Sequence, residues 1–237
     1  QAGYIVGELN FETLEFKHGE FKELDFGTDF YAPQSFKDKK GREIMFGWMG
    51  LPEEEQYHPT GNKGWVHCLT MPRELKLIDG KLIQTPLIEM KELRKDKIET
   101  LEKVEIVSWK SDDIRENSYE LVLDVEKYES PIFEIRLAIG EIEYTSLKID
   151  FTNNYGIFDN SAMAKGLKSV RKFKLNNIKD KIKIHMFIDK SAVEIFLDDG
   201  ETVVSSRIYP KEGSTGLEII SYEGKLKINK LDIWSLG

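Results

Sequence analysis

Three side chains near the start of this 237-residue sequence are of types that bind sugars. Asp29 and Tyr31 stand two positions apart in Gly-Thr-Asp-Phe-Tyr-Ala-Pro-Gln-Ser-Phe, residues 27–36, and Trp48 follows in Gly-Trp-Met-Gly, residues 47–50. On a regular strand, alternation puts Asp29 and Tyr31 on one face. There a carboxylate would accept hydrogen bonds from hydroxyls while the phenol ring covers a C–H face. An indole adds a broader flat surface and one N–H donor. The same residues also admit structural roles, Asp29 as a turn cap and Tyr31 and Trp48 as packing between layers.

The other reactive side chains make weaker cases. His18, His58, His67 and His185 share no i, i+2 or i, i+4 spacing, and Cys68 is the single cysteine. Neither a metal site nor an internal disulfide is expected from that set. The sequence contains no GxGxxG, P-loop, HExxH or CxxC, and no cofactor is expected. His58 lies in Gly-Leu-Pro-Glu-Glu-Glu-Gln-Tyr-His-Pro-Thr-Gly-Asn-Lys-Gly, residues 50–64, a stretch with the length and composition of a lid or rim loop, where it could meet a substrate. Glu53, Glu54 and Glu55 read as a solvated face that would oppose a phosphorylated ligand, with Lys63 and Arg42 as the nearby cations. Arg73 and Glu74 read as a structural ion pair. Asp189 and Glu194 differ by five positions, fall on opposite faces of a strand and are not expected to act as a catalytic pair.

The elements that would hold these groups are strands. Residues 27–85 have the pattern of a four-stranded antiparallel meander, as in one propeller blade, with Asp-Lys-Lys-Gly at 38–41 and Ile-Asp-Gly-Lys at 78–81 as turns. Apolar residues at 87, 88, 90 and 93 behind Pro86 predict a short amphipathic helix in a linker over 86–97. From 98 to 237 short segments alternate apolar and polar residues between turn signals, which predicts an antiparallel β-sandwich.

Composition narrows the function classes. The chain is 40% hydrophobic and 32% charged, as globular proteins are, and its net charge of -8 argues against nucleic acid or an anionic membrane as partner. No apolar run reaches the ~18 residues of a membrane span. One cysteine fits a reducing, cytoplasmic setting. The opening Gln-Ala-Gly-Tyr-Ile-Val-Gly-Glu-Leu enters a strand pattern at once, without an initiator methionine or signal core, so the chain reads as part of a longer one.

Two long stretches carry a family resemblance. Residues 25–94, from Asp-Phe-Gly-Thr-Asp-Phe-Tyr-Ala-Pro-Gln through Gly-Trp-Val-His-Cys-Leu-Thr-Met-Pro-Arg-Glu-Leu, and residues 184–210, including Asp-Lys-Ser-Ala-Val-Glu-Ile-Phe, resemble glycoside hydrolase family 32. The likeness covers nearly the whole chain in the family's order. It implies an all-β fold: the last blade or blades of a five-bladed β-propeller over 1–85, then the C-terminal sandwich. It implies a sucrose-type saccharide as substrate, hydrolysed with retention, and places Trp48 in the wall of the fructose pocket. Retaining glycosidases work with two carboxylates roughly 5 Å apart. The family's nucleophile motif Trp-Met-Asn-Asp-Pro-Asn-Gly, its Arg-Asp-Pro and its Glu-Cys do not occur here; the sequence has no Asp-Pro and no Glu-Cys at all. No catalytic residue is therefore assigned within the chain, and it is expected to be inactive alone. Its expected partner is the N-terminal half of the propeller, or a second copy paired through the exposed blade edge. A non-catalytic carbohydrate-binding or assembly module is the competing reading; an exposed row of aromatics on the sandwich would favour it.

Overall fold

The computed structural model describes residues 2–176 and 178–237. Four strands, Tyr31–Lys37, Glu43–Met49, Arg73–Ile78 and Lys81–Pro86, pair in sequence order as an antiparallel meander, and the two-residue strand Cys68–Leu69 joins the end of Glu43–Met49. Turn chemistry sets the registers. The Asp38 carboxylate accepts from the Lys40 and Arg42 N–H groups, both at 2.9 Å. Asp79 and Gly80 both take positive φ, as a two-residue hairpin turn requires. Ahead of the blade, Gly7–Leu9 pairs with Phe16–His18, and Gly3–Tyr4 with Lys22–Glu23.

The connection differs from the expected one. Instead of an amphipathic helix there is a single 3-10 stretch, Ile88–Leu93, and Pro86 closes the preceding strand. So short an apolar stripe cannot offset the cost of nucleating an α-helix. The next strand, Arg94–Ile106, begins inside the stretch 86–97. Arg94 is held in the sheet by two 2.6 Å bonds to Glu120 and by its position 3.7 Å over the Trp234 ring.

The 3-10 stretch is pinned to the blade from below. Arg42 reaches Asp38 at 2.8 Å and Glu89 at 2.9 Å, and Lys40 reaches Glu89 at 2.9 Å. Hydrogen bonds from Arg42 and then Lys40 hold the Glu89 carboxyl down to about 2. A carboxyl lowered on folding stabilises the fold above its ordinary value of 4.5, and that stabilisation is lost as pH falls through about 2. We expect the stability difference between the natural chain and Glu89→Gln, read from urea unfolding, to shrink steadily on acidification below pH 4.5. Arg42 and Glu89 are half-buried and reached by solvent, so the difference is small at any pH. An unchanged difference across that range would contradict the assignment.

Two six-stranded antiparallel sheets make up the rest. One runs Arg94–Ile106, Leu226–Leu236, Ser118–Lys127, Lys181–Asp189, Ala192–Leu197, Thr202–Arg207; the other runs Ser108–Lys110, Gly216–Ser221, Ile132–Ile139, Thr145–Asp150, Tyr155–Asp159, Val170–Lys174. Alternation sends Tyr119, Leu121, Leu123 and Val125 of the first sheet inward against Phe133, Ile135 and Leu137 of the second, all fully buried. One such residue pair per strand repeat is enough to fix which face is core.

The free edge of the first sheet is closed by the segment before the blade. Phe26 N–H donates to Val203 O at 2.8 Å, and Asp29 N–H to Ser205 O at 3.2 Å. In return Ser205 N–H donates to Asp25 Oδ1 and Arg207 N–H to Asp29 Oδ2, both at 2.8 Å. Residues 25–29 thus satisfy the outward groups of Thr202–Arg207, as an exposed edge strand requires. Approach is so close that a Cβ on Gly27 would lie 1.8 Å from Ser205 O.

Behind this seam sits a buried ionic network. Arg73 is fully buried and reaches Asp25 and Glu194 at 3.0 Å each, Ser205 Oγ at 2.5 Å and Gln84 Oε1 at 2.9 Å. Glu194 Oε1 also accepts the Met71 N–H at 2.6 Å. Burial pushes the Glu194 carboxyl up, against the pull of Arg73. The expected Arg73–Glu74 pair does not form: consecutive strand residues face opposite ways, and Glu74 instead meets Lys76 at 2.9 Å.

Candidate functional site

Tyr31 and Trp48 are directly opposed across the first two blade strands, so their side chains share a face. Their ring centroids are 6.3 Å apart; Tyr31 is exposed and Trp48 half-buried. His67 meets the Trp48 ring edge-on at 4.7 Å, and its Nε2 lies 3.3 Å from Glu55. The glycines on either side of Trp48 and Met49 explain why the motif has this form. A Cβ on Gly47 would fall 2.2 Å from the Phe30 ring, and one on Gly50 would fall 1.8 Å from His67 Nδ1. Bare backbone at both positions lets one ring pack behind the strand and another beside the indole. A cavity of about 270 Å³ opens next to Tyr31, with Thr28, Leu51 and Glu54 also in its walls.

Asp29 does not share the open face with Tyr31. Residue 29 is not on the strand: 27–29 form a bend and pairing starts at Tyr31. The Asp29 side chain is buried, and its Oδ2 serves Arg207 N–H and the Thr28 hydroxyl at 2.5 Å. Its Oδ1 is buried without a partner among the described residues, as are Glu54 Oε2, His58 Nε2 and His67 Nδ1. Burial, then the charge of Asp29 and then that of Glu53 push the Glu54 carboxyl up. Glu54 is therefore not part of a solvated acidic face, whereas Glu53 and Glu55 are exposed.

The rim role expected for His58 is not what the fold gives it. Residues 52–63 coil into two 3-10 turns, Pro52–Tyr57 and Pro59–Lys63, and His58 between them is buried, its Nδ1 2.6 Å from Tyr209 Oη. Burial pushes the His58 imidazole below its ordinary value. Arg42, committed to Asp38 and Glu89, is not available to a ligand, while Lys63 is exposed. Asp189 and Glu194 do not lie on opposite faces of one strand as expected, because the chain turns between Lys181–Asp189 and Ala192–Leu197. Asp189 pairs with Ala192 and Phe187 with Glu194, so the two carboxylates share a sheet face, Asp189 exposed near the turn and Glu194 buried against Arg73. His185 lies in the sandwich, its Nε2 2.6 Å from Glu120, and His18 is exposed on the first hairpin. No group of three His, Cys, Asp or Glu among the described residues could hold a metal ion.

Sequence reasoning passed over Glu54, His67, Arg207 and Tyr209 as neighbours of the site. None of them left a signal in the sequence; all arrive by contacts distant in the chain.

Family models match both parts of the chain: residues 1–86 match the glycosyl hydrolases family 32 N-terminal domain, and residues 89–235 the glycosyl hydrolases family 32 C-terminal domain. A sucrose-6-phosphate hydrolase of Bacillus subtilis is 37% identical over all of this chain and 47% of its own length. A raffinose invertase of Escherichia coli is 31% identical over all of this chain and 48% of its own. Among solved structures, a sucrose-6-phosphate hydrolase from Lactobacillus gasseri superposes with a TM-score of 0.84 at 22% identity, over 99% of this chain and 47% of that one. A β-fructofuranosidase of Bombyx mori, solved also with sucrose, gives 0.76 at 27% identity, over 99% and 46%. The chain spans about half the length of the curated relatives it matches. With a blade and a sandwich joined in the family's order, and both family models matched, this chain belongs to glycoside hydrolase family 32.

Proposed function

We propose that this chain is the C-terminal part of a β-fructofuranosidase that cleaves sucrose or sucrose 6-phosphate, and that it supplies one wall of the sugar site. The observation that carries this reading is the Tyr31–Trp48 pair, two opposed rings on the open face of the blade beside His67 and a carboxylate-lined cavity. Flat rings bind the C–H faces of a furanose, and the indole N–H and phenol O–H can bond its hydroxyls. Asp29 acts behind that wall, tying it to the sandwich edge. Nucleophile and general acid/base are assigned to the part of the protein outside this sequence, which contains none of the family's three carboxylate motifs.

The partner of the blade is the rest of the propeller. Phe11, Leu14 and Phe21 are exposed at 83%, 77% and 53%, apolar surface suited to neighbouring blades and, in their absence, to a second copy. The half-buried free thiol of Cys68 suits a reducing compartment, and we place the protein in the cytoplasm. Sugar binding on the sandwich faces is less well supported, because cations already cover four of its rings. Arg94 lies over Trp234, Lys172 over Tyr155, Arg136 over Tyr144 and Lys148 over Tyr222.

The test is fructose release from sucrose and sucrose 6-phosphate by the 237-residue chain and by the complete polypeptide, with gel filtration of the former. Turnover is expected from the complete protein only, and self-association from the chain alone. Turnover by the chain alone would place the catalytic carboxylates within these residues and overturn the reading.

A further inference from the structure

A cationic concavity of this acidic chain lies at the junction of the Pro59–Lys63 turn with the sandwich loops. Its volume is about 580 Å³, within the range of small-ligand sites. Lys63, Arg115, Lys165, Lys190 and Lys211 line it against only two carboxylates, Glu116 and Glu212. Lys190 is neutralised by Glu116 at 3.0 Å and Arg115 lies 3.9 Å from Asp113. Lys63, Lys165 and Lys211 have no carboxylate within 4.0 Å among the described residues. Those three ammonium groups face one carboxylate of the lining that is in no ion pair among the described residues, Glu212, so the hollow is net positive in a molecule of net charge -8.

A second observation points the same way. Arg207 is 2% exposed, and among the described residues it too lacks a carboxylate partner; its guanidinium donates instead to Val66 O, Ser191 O and Ser191 Oγ at 2.9–3.0 Å. It lies 5.3 Å from the Trp65 ring and 5.2 Å from the Tyr209 ring, and Trp65, Ser191 and Tyr209 all line the cavity. The buried Asp29 carboxylate bonds the Arg207 backbone N–H rather than its guanidinium, and a buried guanidinium without a directly bonded carboxylate is costly. An anion seated on those rings would compensate it across a low-dielectric floor.

We propose that this cavity is a binding site for a phosphomonoester carried on a sugar-sized body, separate from the Tyr31–Trp48 wall. Lys63, Lys165 and Lys211 take the dianion as point charges, and the Trp65 and Tyr209 rings take the apolar faces of the carrier. A polyanion is disfavoured by the chain's net charge and by Glu116 and Glu212 at the rim. Bound ligand would bridge the Pro59–Lys63 turn to the loops at 165 and 209–215, and so brace the loop that also carries Glu54 and Glu55. The binding claim does not depend on the proposed hydrolase activity.

The test is calorimetric titration of the 237-residue chain with inorganic phosphate, glucose 6-phosphate and glucose, at constant ionic strength. Saturable binding of glucose 6-phosphate at least tenfold tighter than inorganic phosphate, and none of glucose, is expected. Lys63→Gln/Lys165→Gln/Lys211→Gln should weaken it at least tenfold. The same charge change at the exposed Lys17, Lys39 and Lys179 should leave it intact, and both variants should keep the natural unfolding midpoint. Equal affinity for inorganic phosphate would overturn the sugar-bearing part, leaving free phosphate as the ligand. Binding of glucose as tight as that of its phosphate, an equal heat when chloride replaces phosphate at the same ionic strength, or indifference to the triple substitution would sink the site altogether.

Discussion

Arg73→Met is expected to cost about 3–5 kcal/mol of unfolding free energy, the range found when one partner of a buried ion pair is removed. The substitution keeps most of the side-chain volume, so the loss is electrostatic. Asp25 and Glu194, both buried, would be left without the guanidinium that lies 3.0 Å from each. Glu194 is already pushed up by burial, and losing Arg73 pushes it further. The sign of the pH dependence follows. A carboxyl raised on folding contributes stability below its unfolded value that is lost as pH rises, so the penalty should be greatest at neutral pH and shrink toward pH 4.5. Urea unfolding at both pH values measures this. Glu74→Ala, on the opposite face, should change stability by no more than about 0.5 kcal/mol. Equal losses at residues 73 and 74 would mean that the buried network is not what holds the seam.

The second large effect is on activity. In the complete protein, Trp48→Ala is expected to lower kcat/KM for sucrose about 30-fold, or roughly 2 kcal/mol, the order of a binding hot spot. Trp48→Phe should recover part of it by restoring a ring without the N–H. The competing account is that the indole only packs between Tyr31 and His67. In that case the unfolding midpoint would drop while KM and kcat stayed as they were. Steady-state kinetics alongside thermal unfolding of the same preparations separates the two.

The two predictions draw on different layers of the chain. Tyr31 and Trp48 sit where local pattern puts them, on adjacent strands joined by a hairpin whose Asp38 and Gly41 are legible as a turn. The Arg73 network joins residues 25, 73, 194 and 205, and no periodicity links positions so far apart. Arg73 and Glu74 looked alike in sequence, and only the direction of the strand's faces separated a buried hub from a half-buried carboxylate paired with Lys76.

By itself the sequence determined the all-β class, the meander, the alternating sandwich strands and the family. Each of these rests on period-two burial or on short turn motifs, which a chain carries locally. Tertiary structure decided what Asp29, Glu54 and His58 do. Asp29 leaves the strand pattern because the free edge of Thr202–Arg207 takes its carboxylate, and His58 is drawn inward by Tyr209, 151 positions away. Side chains of these types suit either a sugar or a neighbouring backbone equally well. Which they meet depends on desolvation and hydrogen-bond competition between segments that come together only when blade and sandwich close on each other.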